Sequence, residues 1–160
     1  MGGPRSAGVS DIVPSARPLV VLGVGSGQGD DRAGVALVDR LEAMDPPDVT
    51  AIAGGVAPEN YTGPIREADP RAILVVDAVE SGADPGAIGA FGIDDLRMGS
   101  ISTHSAPPTM LVDFLEGTTD ATVSLVGIQP ATLDGATLSV PVARAVEALA
   151  TTIASPREGV

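Results

Sequence analysis

Two kinds of hydrophobic pattern alternate along this chain. Leu19 to Val24 and Ala72 to Val76 are apolar at nearly every position, as expected for short strands covered on both faces. Elsewhere apolar residues recur three and four positions apart, as in Val35, Leu37, Val38 and Leu41, and again in Val142, Val146, Leu149 and Ile153. The first of these helices follows strand one and ends before Asp45-Pro46-Pro47. Val49 to Ala53 is a second strand closed by Gly54-Gly55, and a weaker helical stretch opens at Pro58 and reaches about Ala68, where Asp69-Pro70 stops it. Asp77 directly follows the third strand, Ala72 to Val76. Ala87 to Ile93 reads as a fourth strand, Pro108 to Glu116 as a helix and Thr122 to Gly127 as strand five, with Ser139 placed to cap the last helix, Val142 to Ile153. This order predicts a three-layer α/β/α sandwich around a mostly parallel central sheet of about five strands. Residues 1–16, rich in Gly, Pro and Ser and without periodicity, read as a disordered N-terminal tail, leaving 17–160 as a single α/β domain.

Composition narrows the function. The chain has 160 residues, 44% of them hydrophobic, enough for a core without staples, and it has no cysteine, which removes disulfides, thiolate metal sites and cysteine nucleophiles. Nine basic residues, all Arg, face 21 acidic ones for a net charge of −12. Such a surface repels phosphates, so no nucleic-acid partner is expected. The missing Lys fits either adaptation to high salt or a GC-rich genome. No apolar run approaches the ~18 residues needed to span a bilayer and the N-terminus lacks a signal-type hydrophobic region, so the expected setting is cytoplasmic, away from membranes.

The candidate chemistry gathers where the first strand ends. Pro18 to Gly34 passes from apolar residues through Gly23, Gly25, Gly27 and Gly29 to Asp30-Asp31 and a helix start. In an open α/β sheet, ligands bind in the crevice beyond the carboxyl ends of the strands. A parallel sheet brings Asp31, Asp77 and His104 of the Ser100–Pro108 segment to that edge. Two carboxylates and an imidazole suit a divalent ion such as nickel or zinc, with positions left open. Each has a plainer role available: one aspartate of the pair as a helix cap, Asp77 as a turn former, His104 as a structural residue.

Other chemistries fit less well. A dinucleotide fold wants G-x-G-x-x-G and an acid ending strand two, but Gln28 stands where the third glycine belongs and strand two ends in Ala53-Gly54-Gly55. A P-loop needs a Lys. A serine triad built from Ser102 or Ser105 with His104 lacks the nucleophile-elbow frame.

Several segments, in order, resemble one family: Gly23-Val24-Gly25, Gly29 to Gly34, Gly54-Gly55 with Ala57 to Asn60, Val75 to Ala78, Thr103-His104 and Gly127 to Pro130. They are similar to the hydrogenase maturation proteases, most of all the branch serving formate-hydrogenlyase-type [NiFe] hydrogenases. The resemblance spans about Leu19 to Ile153. It implies an endopeptidase that removes the C-terminal extension of a hydrogenase large-subunit precursor after nickel insertion. By the same resemblance Asp31, Asp77 and His104 are nickel ligands, with Asp31 and Asp77 the candidate catalytic acids. The nickel is supplied transiently by the substrate, and no permanent cofactor is expected. Bond cleavage is open to metal-polarised attack by water or to an Asp acting as base.

Two departures from the family pattern stand out. Ser26 occupies a position where the family usually has Asn, and Ala53 one where it usually has an acid. A hydroxyl replaces one amide hydrogen bond but not both, so the first loop is expected to be held differently. The competing function is a non-catalytic metal- or small-ligand-binding module of the same fold. Convergence of the three side chains to within about 5 to 7 Å of one point separates the two, since metal–ligand bonds are about 2.0–2.2 Å long.

Overall fold

The computed structural model describes residues 8–92, 94–95, 98–99, 101–103 and 109–155. Its six-stranded sheet consists of β1 (Leu19–Val24), β2 (Val49–Gly55), β3 (Ala72–Glu80), β4 (Ile88–Phe91), β5 (Ser102–Thr103) and β6 (Thr122–Ile128). The order is β2-β1-β3-β6-β4, with β5 paired to β3. The β1–β2, β1–β3 and β3–β6 pairs are parallel, while β4 on β6 and β5 on β3 are antiparallel. Among the described residues the α-helices include α1 (Val9–Ile12), α2 (Ala33–Met44), α3 (Thr62–Glu67), α4 (Thr109–Thr118) and α5 (Val140–Ala154).

The period-two pleat sorts the strand residues into two cores. Leu19 and Val21 of β1 with Leu74 and Val76 of β3 pack with Leu37 and Leu41 of α2 and Val146 and Leu149 of α5. Val20, Leu22, Ile73 and Val75 point the other way, onto Ile65 of α3 and Leu111 and Leu115 of α4. Both faces are covered, which is why β1, and β3 as far as Val76, are apolar throughout and why the sheet is the middle of three layers.

Four expectations need correction. Residues 9–12, placed in the tail, form α1 against α5, and Val13, which follows it, is buried in the first core. Asp77 does not follow β3 but lies inside it, because backbone pairing carries the strand on to Glu80. No strand is expected from the residues at Ser102 and Thr103, yet they pair with Glu80 and Val79. Strand four is only Ile88–Phe91, and Ile93 lies outside the described residues.

The chain leaves β1 for β2 on one side and returns to β3 on the other, so strand order reverses between β1 and β3, where ligands bind in such sheets. Close backbone packing sets that corner. A Cβ on Gly34 of α2 would lie 2.5 Å from the Val24 carbonyl oxygen and 2.6 Å from that of Val76. Neither backbone atom can turn aside as a side chain can. Gly34→Ala should therefore push α2 off the sheet and cost about 3 kcal/mol, the upper range for overpacking. Urea denaturation checks this; an unchanged midpoint would show that the helix can move freely.

Candidate active site

After β1 the backbone turns through Gly25, whose φ of 128° suits glycine, into a 3-10 turn over Gly29–Arg32 that carries both aspartates. A Cβ on Gly25 would meet the Asp31 carbonyl and carboxylate oxygens, so the glycine makes room for Asp31. The Ser26 N–H donates to Asp31 Oδ2 at 2.7 Å. Asp31 Oδ1 is buried with no hydrogen-bond partner.

Asp77 sits at a step in the sheet. Pairing of β3 with β1 ends at Val76, pairing with β5 begins at Val79, and Gly127 of β6 lies opposite Asp77. Its side chain is 1% exposed. The Ala78 N–H donates to Oδ1 at 2.8 Å, while Oδ2 has no partner. Burial, and then the negative charge of Asp31, push the Asp77 carboxyl up to about 7 against the pull of the Ala78 N–H. Asp31 and Asp77 thus converge closely enough to feel one another, each with one bare oxygen. Buried polar atoms are normally paired, so two orphans in one crevice mark a place where something else binds.

His104, the third expected ligand, follows Thr103 of β5 and lies outside the described residues, as does Ser105. Ser102 is an exposed strand residue. Among the described residues no three His, Asp or Glu side chains form a metal-holding group.

The model for the hydrogenase maturation protease family matches residues 35–156, well over half of the chain, Asp77 and His104 included. The chain belongs to the hydrogenase maturation proteases. The hydrogenase 3 maturation protease of Escherichia coli K12 is 39% identical over 113 residues, covering 69% of this chain and 72% of that protein. The crystal structure of the [NiFe] hydrogenase maturation protease HycI from Thermococcus kodakarensis superposes with a TM-score of 0.81 at 27% identity, covering 92% of this chain and 97% of that one. The solution structure of the endopeptidase HycI from Escherichia coli gives 0.73 at 34% identity, covering 83% and 86%. Among the described residues no helix is long and apolar enough to cross a membrane.

Other features of this maturation protease escaped sequence reasoning. Neither aspartate caps a helix through its side chain. Asp30, fully buried, accepts from the main-chain N–H groups of Ala131, Thr132 and Ser139 and from the Ser139 hydroxyl, all within 3.1 Å. Burial alone would raise its carboxyl, but the Ser139, Ala131 and Thr132 bonds outweigh it and hold the group below the ordinary carboxylate range. Ser139 stands at the N-cap position of α5, yet its hydroxyl is committed to Asp30 instead of the helix. Of the two departures, Ser26 reaches Asp31 through its main chain, so that bond does not depend on the side chain; the Ser26 hydroxyl accepts from the Gln28 N–H instead. Ala53 is exposed near the end of β2. Gln129, a buried polar residue in the Gly127–Pro130 segment, also went unassigned.

Proposed function

We propose that this protease removes the C-terminal extension of a [NiFe] hydrogenase large-subunit precursor once nickel is in place, and that Asp31, Asp77 and His104 read the nickel the precursor carries. The supporting observation is the pair of orphaned oxygens, Asp31 Oδ1 and Asp77 Oδ2, at the crevice where the strand order reverses. A divalent cation presented by a docked precursor would satisfy both and relieve the repulsion between the acids. Two carboxylates and an imidazole leave coordination positions for the precursor's own ligands. The nickel is part of the substrate in this reading. The protease needs only modest affinity for it, because docking supplies a high effective concentration.

The acids then serve hydrolysis. One aspartate of the pair is suited to take the proton of an attacking water and return it to the leaving amine as the carbon–nitrogen bond breaks. Asp31, fixed by the Ser26 N–H, keeps the opposite wall in place.

The test offers the enzyme nickel-free and nickel-loaded precursor side by side and follows peptide release by mass spectrometry. Only the loaded form should be cut, and His104→Ala should lose at least about a hundredfold, since even groups behind a metal ligand cost about 10- to 100-fold when removed. Equal cleavage of both forms, or a fully active His104→Ala chain, would refute nickel reading. A folded chain that cuts neither form would favour the non-catalytic binding module.

A further inference from the structure

Beside the acid pair lies a cleft of about 360 Å³, lined by Ala78, Glu80, Ser102, Thr103 and Pro130 to Leu133. Its lining includes neither acid but adjoins the site at two places along the chain. Ala78 adjoins Asp77, and the main chain of Ala131 and Thr132 bonds Asp30, the neighbour of Asp31. One wall is the protruding end of β3 with β5 paired to it, and that wall has little core of its own. Val79 is buried, but Glu80 and Ser102 are exposed and β5 is two residues long. Short exposed segments of this kind open locally unless something ties them down.

Gln129 is the tie. It is 4% exposed and uses both ends of its amide. Its Oε1 accepts from the Ser81 N–H at 2.8 Å and from the Ser81 hydroxyl at 3.2 Å. Its Nε2 donates to Glu80 Oε2 at 2.8 Å and to the Pro130 carbonyl at 3.3 Å. Its backbone pairs with Ala87 and Gly86 at the far end of the same loop. One side chain therefore joins the last residues of β3 to the Pro130 segment, the two sides of the cleft. Glu80 pairs in turn with Ser102, and Val79 with Thr103.

We propose that Gln129 is a positioning residue for substrate binding: it fixes the β3–β5 wall against the Pro130–Leu133 wall, so that an extended stretch of the precursor's polypeptide fits the cleft beside the acids. This rests on the protease reading above and adds where the substrate chain lies and what holds its seat. Gln129 touches neither acid, so its loss should weaken binding more than chemistry.

An exchange of partners tests it. Gln129→Glu keeps an acceptor for Ser81 but sets a carboxylate against Glu80, whereas the double variant Glu80→Gln/Gln129→Glu restores the bond with donor and acceptor reversed. The single variant should raise KM for nickel-loaded precursor about tenfold, the scale of one lost hydrogen bond, with kcat within about twofold. The double variant should return KM to within about threefold of the parent. Amide hydrogen exchange at Ser81 and Thr103 should quicken in the single variant and slow again in the double, while β1 amides stay protected. A silent single variant, or a double variant no better than the single, would overturn the proposal. If the parent chain cuts no precursor, the protease reading fails by itself, and the exchange rates alone decide whether Gln129 holds this wall.

Discussion

Asp77→Asn should leave nickel-loaded precursor uncut, at least about a hundredfold below the parent, and yet be the more stable protein above pH 7. The activity loss follows from the proposed mechanism, in which Asp77 would touch both the cation and the proton. The stability gain follows from burial. The Asp77 carboxyl, ordinarily at 3.8, is raised to about 7 in the fold, so it disfavours the folded state once ionised. Below pH 3.8 folded and unfolded chains both hold the proton and no cost is felt. Between 3.8 and about 7 the unfolded chain loses its proton first and the penalty grows. Above about 7 the penalty is complete, about 4 kcal/mol at roughly 1.4 kcal/mol per pH unit. Asparagine carries none of it and can still accept the Ala78 N–H. Urea midpoints at pH 4 and pH 8 provide the check: the variant should match the parent at the lower pH and exceed it at the higher. A variant that is less stable at pH 8 would mean that Asp77 is a structural residue and that its bare oxygen has a partner in solution.

A stability loss accepted at one carboxylate suits a site awaiting a cation, and it shows how differently two adjacent aspartates are used. Asp30 has donors on both oxygens, while Asp31 has one oxygen held and one bare. The residue types do not distinguish them, because the partners that commit Asp30 to a structural role lie about a hundred positions along the chain, in the Ala131–Ser139 segment. The same holds for Gln129, whose partners Ser81 and Glu80 are nearly fifty residues away. What the sequence does reveal is whatever depends on short spacing. Covered strands reveal themselves as unbroken apolar runs, and α2 and α5 as helical stripes. The Gly-rich turn into Asp31 is legible because only glycine tolerates the backbone at Gly25. Asp77 looked like the end of β3 because polarity normally ends a covered strand. Backbone pairing ignores side-chain polarity, and β3 continues. Strand β5 and helix α1 were missed for a related reason. A Ser-Thr pair and a four-residue VSDI segment are too short to show a period, and both are held by what they pack or pair with: β3 for one, α5 for the other.

The bonds around Asp30 also define the change expected to cost the fold most. Asp30→Ala leaves three main-chain donors, at Ala131, Thr132 and Ser139, facing a void, and each unpaired donor costs about 1–3 kcal/mol. A total of about 4 kcal/mol or more is a large part of the roughly 5–15 kcal/mol that holds a domain together. Asp30→Asn should be milder but not neutral. Every group around the carboxylate can donate, and only the Ser139 hydroxyl can also accept, so the amide's NH₂ end opposes at least one main-chain N–H in either orientation. The pH dependence runs opposite to that of Asp77. The folded-state pKa of Asp30 is lowered from 3.8, so its contribution is complete above that value and disappears as pH falls through the folded pKa. Parent and Asp30→Asn chains should therefore differ most at neutral pH and draw together in acid. Precursor processing should fall with stability in both variants, because the Ala131–Leu133 wall and the turn carrying Asp31 are joined through this carboxylate. The measurement is a pair of urea titrations, at pH 7 and at pH 3, on parent, Asp30→Asn and Asp30→Ala. An Asp30→Ala midpoint equal to the parent's at pH 7 would mean that the loop finds other partners and that Asp30 does not anchor the site.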